Sequence, residues 1–476
     1  MTQGADSGLS DLTALVGTDV LSTAAQDLAP FESDHRQLYR GKAWALARPR
    51  TTAEVAQILA FCNTRRIGMV PVGGNTSYCG GATPDESGRQ LVLSLARLNR
   101  IRAIDAANNS LTAEAGCILA TVQGAAAAVD RYFPLSLGAE GSCQIGGNLS
   151  TNAGGLNVLR YGMARDLVLG LEVVLADGRV LETLSGLRKD NTGYDLKSLF
   201  VGAEGTLGVI TAASLKLFPA QHDSATACVA LRTPADAVAL LSRVRDHCGE
   251  ALSSFELIPA VAVELVRRHL PELGDIAAPG GADWLVLLEV TTAQANSGVR
   301  EHLQATLADA LEDGLLQDAL LAQNGAQRDR FWRLRESIPA AQARDGASLK
   351  HDISLPVSAI PEFIERGTRV MAAQAPDGFL VAYGHLGDGN LHFNINQRAG
   401  TDRAAFVAHE PALKRAVHDL VREFGGSFSA EHGIGQLKVD ELARYAPPVE
   451  LALMSAIKHA LDPNGIMNPG KVLRRG

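Results

Sequence analysis

Apolar positions along this chain recur with two rhythms, one helical and one alternating. In TTAEVAQILAFCNTRR at 51–66, Val55, Ile58, Leu59 and Cys62 share one helical face, and Thr51 with Glu54 three residues later has the spacing of a capping box. The spacing predicts a helix. The next segment, IGMVPV, predicts a short strand that runs straight into glycines. LVLSL at 91–95 and SLTAEAG at 110–116 predict strands, 119–130 a helix, and LEVVLADGRVLE at 171–182 a hairpin turning at Asp177-Gly178. VITAASLKLFP at 209–219 has the pattern of an alternating strand closed by Pro219. Beyond 220 the glycine clusters stop. Strands then alternate with amphipathic helices, such as 300–323 and 357–373, as far as about 380.

The pattern predicts an α+β protein with a boundary near 220: a first domain at 1–220, a second at 221–430, and a tail at 431–476. Glycine-rich character returns at 383, 425 and 465, so the tail is expected to pack on the first domain.

Composition narrows the classes. The 476 residues are 46% hydrophobic and 20% charged, an ordinary globular balance with ample material for more than one core. The net charge of −8 is spread along the chain, which argues against a nucleic-acid surface. No apolar run is long enough to span a bilayer, and MTQGADSGLSDLTALVG has no basic start and no long apolar stretch of the kind that signals secretion. The six cysteines (62, 79, 117, 143, 228 and 248) are scattered, with no CxxC pair, which suits buried free thiols in a reducing cytoplasm. A cytoplasmic location is therefore expected.

Three loops carry the first chemical signal. PVGGNTSYCGGATP at 71–84 follows a strand, and glycines let such a loop bring successive N–H groups close to an anion. It lacks the Gly-Lys-Ser/Thr of a P-loop and does not open a helix as GxGxxG does. Taken singly it reads equally as a tight turn. LGAEGSCQIGGNLSTNAGG at 137–155 and VGAEGTLGVIT at 201–211 are likewise too small-sided to build a core. Three such loops on one domain suggest a backbone cradle for a long phosphate-bearing ligand such as FAD.

These loops, in this order, resemble the FAD domain (PCMH type) of the vanillyl-alcohol oxidase superfamily. The resemblance runs from about residue 40 to the end of the sequence. It implies that FAD contacts Pro71, Gly73, Gly74, Asn75, Thr76, Gly80, Gly138, Ser142, Gly147, Asn148, Thr151, Asn152, Gly154, Gly205 and Ile210. Some members tether the flavin through a histidine, but neither 71–84 nor 137–155 contains one, so the flavin is expected to be non-covalent.

Farther along, YGHLGDGNLHFNI at 383–395 places two histidines seven apart, on opposite faces of a straight strand. Gly387-Asp388-Gly389 supplies a turn that lets both rings face one spot. SAEHGIGQLK at 429–438 offers Glu431 and His432. Two imidazoles and a carboxylate make a normal divalent-metal set, although two histidines near a turn are more often structural. GHLGDGNLHFN and AEHGIG resemble the signature of the FAD-linked D-2-hydroxyacid dehydrogenase branch, which includes D-lactate and D-2-hydroxyglutarate dehydrogenases. The resemblance implies His385, His392 and Glu431 as ligands of Zn²⁺ or another divalent metal, Asn394 as a substrate contact and His432 as substrate contact and base. Asn468, in DPNGIMNPGK, would lie near the isoalloxazine. The chemistry needs such a set, because hydride leaves a carbinol carbon for flavin N5 only as the hydroxyl proton departs. A metal acidifies that hydroxyl, and a histidine accepts the proton.

FWRLRESIPAAQARDGASLKHDISLP at 331–356 resembles the stretch of D-2-hydroxyglutarate dehydrogenases that holds substrate carboxylates. Arg335 and Lys350 match; the family's nearby threonine is replaced by Pro339. The resemblance therefore implies oxidation of D-2-hydroxyglutarate to 2-oxoglutarate, with D-malate allowed. D-lactate or glycolate is the alternative within the family. An oxygen-using sugar or alcohol oxidase, which has no need of the metal set, and a non-enzymatic flavin- or metal-binding module are more distant alternatives. Electrons would pass on to an acceptor such as an electron-transfer flavoprotein or a quinone. A homodimer stays open.

Overall fold

The computed structural model describes residues 3–274 and 278–475. They form two compact units. The first comprises residues up to Gly155, Gly162–Ala220 and the segment from Glu431 onward; the second comprises Leu156–Tyr161 and Gln221–Ala430.

In the first unit a four-stranded sheet runs in the order Leu21–Ser22, Ala43–Ala47, Gln90–Ser94, Met69–Val72, and the last three strands are parallel. The helix Thr52–Arg65 carries the chain across from Ala43–Ala47 to Met69–Val72, the two parallel strands that flank Gln90–Ser94. Its first turn is capped by Thr51 Oγ1, which accepts the N–H of Glu54 at 3.2 Å. The return bond of a full capping box goes elsewhere, since Glu54 Oε2 accepts from Arg50 N–H at 2.6 Å. Val55, Ile58, Leu59 and Cys62 are fully buried and belong to one core with Met69, Leu91 and Leu93. The returning segment completes the edge of this sheet: Met69 N–H donates to Ile466 C=O and Asn468 N–H to Met69 C=O, both at 2.8 Å.

A second, five-stranded antiparallel sheet runs Ile101–Asp105, Ser110–Glu114, Val209–Lys216, Val168–Val174, Val180–Glu182. The last two strands are the expected hairpin, with Gly178 at φ 87° in its turn. Val209–Lys216 does not alternate as the sequence suggested. It is the central strand, and all its residues but Lys216 are buried. A strand covered on both faces needs apolar or small residues at every position.

The second unit holds two four-stranded sheets. One runs Leu252–Pro259, Trp284–Thr292, Asp223–Leu231, Asp318–Leu321, all antiparallel. In the other, Asn390–Gln397 pairs with Gly378–Tyr383 on one side and with Ser348–Leu349 and Asp352–Ser354 on the other. The helix expected over 300–323 ends early, at Glu312. Gly314, at φ 73°, turns the chain, and Asp318–Leu321 joins the sheet as an edge strand. The apolar residues 315–321 fit either period, and pairing with Ala227–Ala230 decides for the strand.

Candidate active site

Three glycine loops of the first unit touch one another at their glycines. A Cβ added at Gly74 would lie 2.3 Å from Ser142 O, and one at Gly205 2.4 Å from the Pro71 ring. Gly73 faces Gly147 at 3.4 Å by the same measure. The contacts at Gly74 and Gly205 admit no side chain, which is why glycine stands there. Asn75, Asn152 and Asn468 adopt left-handed φ of 51°, 49° and 42°. Each is anchored by its side chain: Asn75 Nδ2 donates to Ser33 O at 3.2 Å, Asn152 Oδ1 accepts from Arg165 N–H at 2.9 Å, and Asn468 Nδ2 donates to Gly81 O and Glu204 O at 3.0 and 2.8 Å. Thr151 turns its hydroxyl back to Gly147 O, and Ile210 is core. Thr76 and Gly154 lie in the same loops. Gly80 packs on Tyr39, while Gly138 has open space beside it.

The cradle contains buried polar atoms that the described residues do not satisfy: Gln144 Oε1, Thr83 Oγ1 and Asn468 Oδ1. Buried polar atoms are nearly always paired, so these ask for a ligand that can donate to them. A dinucleotide whose ring system carries N–H and C=O groups along its edge fits both the bare backbone and these atoms.

In the same unit, Glu431 Oε1 accepts the N–H of Gly155 at 3.0 Å. The His432 ring stands edge-on to Tyr78, with centroids 4.8 Å apart. The turn after His432 is gripped by Glu204, which accepts Ile434 N–H at 2.7 Å and Gly435 N–H at 2.8 Å. Burial raises the Glu204 carboxyl pKa against the pull of those two N–H groups and the Lys438 charge. A Cβ at Gly433 would come within 2.7 Å of Glu204, and one at Gly435 within 2.1 Å of Cys79 O. Small-residue spacing in the sequence points to Gly205 and gives no signal for Glu204 beside it.

In the second unit the two predicted histidines meet. His385 opens a turn in which its carbonyl accepts from Asp388 and Gly389 N–H, and His392 lies on Asn390–Gln397 opposite Tyr383. Their ring centroids are 5.7 Å apart and nearly perpendicular. Behind them is Glu256, on a strand buried at every position. Its Oε1 lies 2.6 Å from His385 Nδ1, and its Oε2 accepts Arg335 Nε at 2.7 Å. Burial opposes ionisation of Glu256, but His385 and the Arg335 guanidinium outweigh it and hold its carboxyl well below the usual carboxylate range.

Arg335 is therefore buried, with its guanidinium 4.8 Å from the centre of the Tyr383 ring. Pro339 sits within the helix Gly325–Asp345, where its ring nitrogen cannot donate to the Arg335 carbonyl four residues back. Lys350 is exposed on the link between Ser348–Leu349 and Asp352–Ser354. Asn394 is buried: its amide donates to Gln342 at 3.1 Å, and its oxygen accepts from the N–H of His351 at 3.3 Å. It thus fixes the backbone next to Lys350. Glu256 was not anticipated; a lone acid inside the apolar run LSSFELIP was the available signal.

A backbone cradle made for a dinucleotide, on a chain that also carries a histidine pair backed by a buried carboxylate, defines a flavin-linked oxidoreductase. The comparisons agree. Residues 43–184 match the family described as FAD binding domain, and residues 220–472 match FAD linked oxidases, C-terminal domain. The chain belongs to the FAD-linked oxidases. It is 41% identical over 439 residues to a probable mitochondrial D-2-hydroxyglutarate dehydrogenase of Oryza sativa subsp. indica, covering 91% of this chain and 76% of that protein. It is 41% identical over 453 residues to the mitochondrial D-2-hydroxyglutarate dehydrogenase of Bos taurus, covering 95% and 80%. The fold is shared with p-cresol methylhydroxylase at 18% identity, with a TM-score of 0.76 over 99% of this chain and 97% of that one.

One expectation is corrected. The cytoplasmic location is contradicted by these relatives, which are named as mitochondrial proteins. It had rested partly on free cysteines. The structure buries five of the six and half-buries Cys248, and burial protects a thiol in any compartment. No described helix is long and apolar enough to cross a membrane.

Proposed function

We propose that this protein oxidises D-2-hydroxyglutarate to 2-oxoglutarate, with D-malate a second dicarboxylate substrate. The observation that carries the reading is the 41% identity, over nine-tenths of the chain, to the rice protein of that name. We assign FAD binding to the first unit and substrate binding to the second. FAD, held without a covalent tether by the backbone around Gly73, Gly74, Ser142, Gly147 and Gly205, would supply the hydride acceptor. Zn²⁺ or another divalent metal, held by His385, His392 and Glu431, would acidify the substrate hydroxyl. In support, the His385 and His392 rings already stand together, edge to face, and His385 is backed by a carboxylate as metal-binding histidines usually are.

The chain's own residues then have these tasks. His432 takes the hydroxyl proton on a ring nitrogen, with its ring steadied by Tyr78 and its loop by Glu204. Arg335 and Lys350 receive carboxylates. Arg335 is pre-aimed, since Glu256 and the Tyr383 face fix its plane. Asn394 serves from the interior by holding the His351 backbone beside Lys350. Pro339 favours one other reading, a smaller D-2-hydroxy acid such as D-lactate or glycolate, because it removes a hydroxyl from this region.

The test is anaerobic bleaching of the flavin band against D- and L-forms of 2-hydroxyglutarate, malate and lactate, with glycolate alongside. D-2-hydroxyglutarate should bleach fastest. No bleaching with any D-2-hydroxy acid would overturn the reading.

A further inference from the structure

We infer that Glu256 is a positioning residue that selects the metal-binding tautomer of His385 and, through its other oxygen, aims Arg335. The inference rests on the proposed metal role of His385.

A carboxylate buried in an apolar strand is costly unless donors satisfy both oxygens. Glu256 is 1% exposed, and each oxygen has its own partner, His385 Nδ1 at 2.6 Å and Arg335 Nε at 2.7 Å. An ionised carboxylate only accepts, so Nδ1 of His385 must carry the proton. In the neutral ring the lone pair is then on Nε2, the nitrogen turned away from Glu256, and a metal can bind only there. His385 is brought to this strand by Gly384, which exchanges two backbone hydrogen bonds with Leu257, the neighbour of Glu256. His392 differs, because its Nδ1 lies 3.8 Å from Asp352 Oδ1, beyond hydrogen-bond reach. One carboxylate thus sets a proposed metal ligand and a carboxylate-binding guanidinium fifty positions apart in sequence.

The arrangement has a sharp chemical test. Glu256→Gln offers one oxygen and one NH₂. Arg335 Nε can only donate and claims the oxygen, so the NH₂ faces His385 Nδ1. That face must then accept, which moves the ring proton to Nε2 and blocks the metal position. Adding Arg335→Met removes the competitor. The introduced amide can then rotate its oxygen to His385 and restore the original tautomer.

Zn²⁺ affinity of the FAD-loaded protein, measured by competition with a chromophoric chelator, reads this directly and without turnover. Glu256→Gln should weaken Zn²⁺ binding by about 10- to 100-fold, the usual scale for losing a histidine's supporting partner. Glu256→Gln with Arg335→Met should recover most of that loss. Glu256→Ala with Arg335→Met, which has no oxygen to offer, should not. The last pair leaves no unpaired buried charge and decides the matter even where the single variant fails to fold. Equal Zn²⁺ affinity in the two double variants, or wild-type affinity in Glu256→Gln while His385→Ala loses the metal, would overturn the inference. Unchanged Zn²⁺ binding in His385→Ala would instead overturn the metal assignment itself.

Discussion

Glu204 accepts the backbone N–H of Gly435 at 2.8 Å, three residues beyond His432, and a side chain at Gly433 would strike the same carboxylate. The acid and the glycines are therefore parts of one clamp on the turn that presents His432. Glu204→Ala leaves the Ile434 and Gly435 N–H groups, both partly buried, without their acceptor. It should destabilise the protein by about 1–3 kcal/mol, the scale of an unmet buried hydrogen bond. Urea unfolding followed by flavin fluorescence measures it, and an unshifted midpoint would remove the clamp from the account.

Flavin release tests the cradle. The loops at 71–84 and 137–155 contain no histidine, and the contacts around Gly74 and Gly147 are made by backbone. Acid or heat precipitation should leave free FAD in the supernatant. Yellow colour retained in the washed pellet would contradict a non-covalent site.

The proposed metal is best tested at a ligand that lies outside the flavin loops. His385→Ala should abolish most turnover while the flavin stays bound at full stoichiometry; Glu431→Ala should abolish turnover too, but it also removes the acceptor of the Gly155 N–H in the flavin loop. Exhaustive chelation should act likewise, and added Zn²⁺ should restore the wild type. Full activity after chelation, with metal content shown to be nil, rules the metal out.

His432→Ala should lower kcat by about 10²-fold or more, the scale of losing a positioned base. Flavin content should be unchanged, since Tyr78 and Glu204 remain. Near-normal kcat would move proton removal to another residue.

Lys350→Ala tests substrate choice. A charge-assisted contact to a second carboxylate is worth about 1.5–3 kcal/mol, or roughly one to two decades in kcat/KM. D-2-hydroxyglutarate should exceed D-lactate by at least that factor in the wild type, and the gap should narrow in the variant. Equal efficiency on the two acids in the wild type would favour the lactate-type reading.

Much of this was legible where one residue answers to one local rule. The helix Thr52–Arg65 shows its cap and its buried face in the sequence, and the Asp177-Gly178 hairpin shows its turn. The glycine loops were legible because nothing but close backbone approach explains so many small residues together. Legibility failed where a neighbour decides. Residues 315–321 carry apolar spacing suited to a helix, yet Asp318–Leu321 becomes a strand because Asp223–Leu231 offers an open edge. Val209–Lys216 looked half-exposed because its Thr, Ser and Ala residues mimic alternation, yet both faces are covered. Glu256 and Glu204 were hidden because their partners are far off in sequence: Arg335 and His385 for one, Ile434 and Gly435 for the other.

The pairing of Met69 with residues 466–468 also bears on how the protein is made. Residues 221–430 leave the ribosome as a continuous run and can collapse at once, needing from upstream only the short piece Leu156–Tyr161. The glycine loops of the first unit are synthesised early, but the edge of their sheet and the Asn468 anchor arrive some four hundred residues later. During synthesis that sheet waits with an open parallel edge, a state prone to wrong pairing. Flavin capture should therefore be a late event, and chains shortened within the last dozen residues should accumulate as flavin-free protein with an intact second unit.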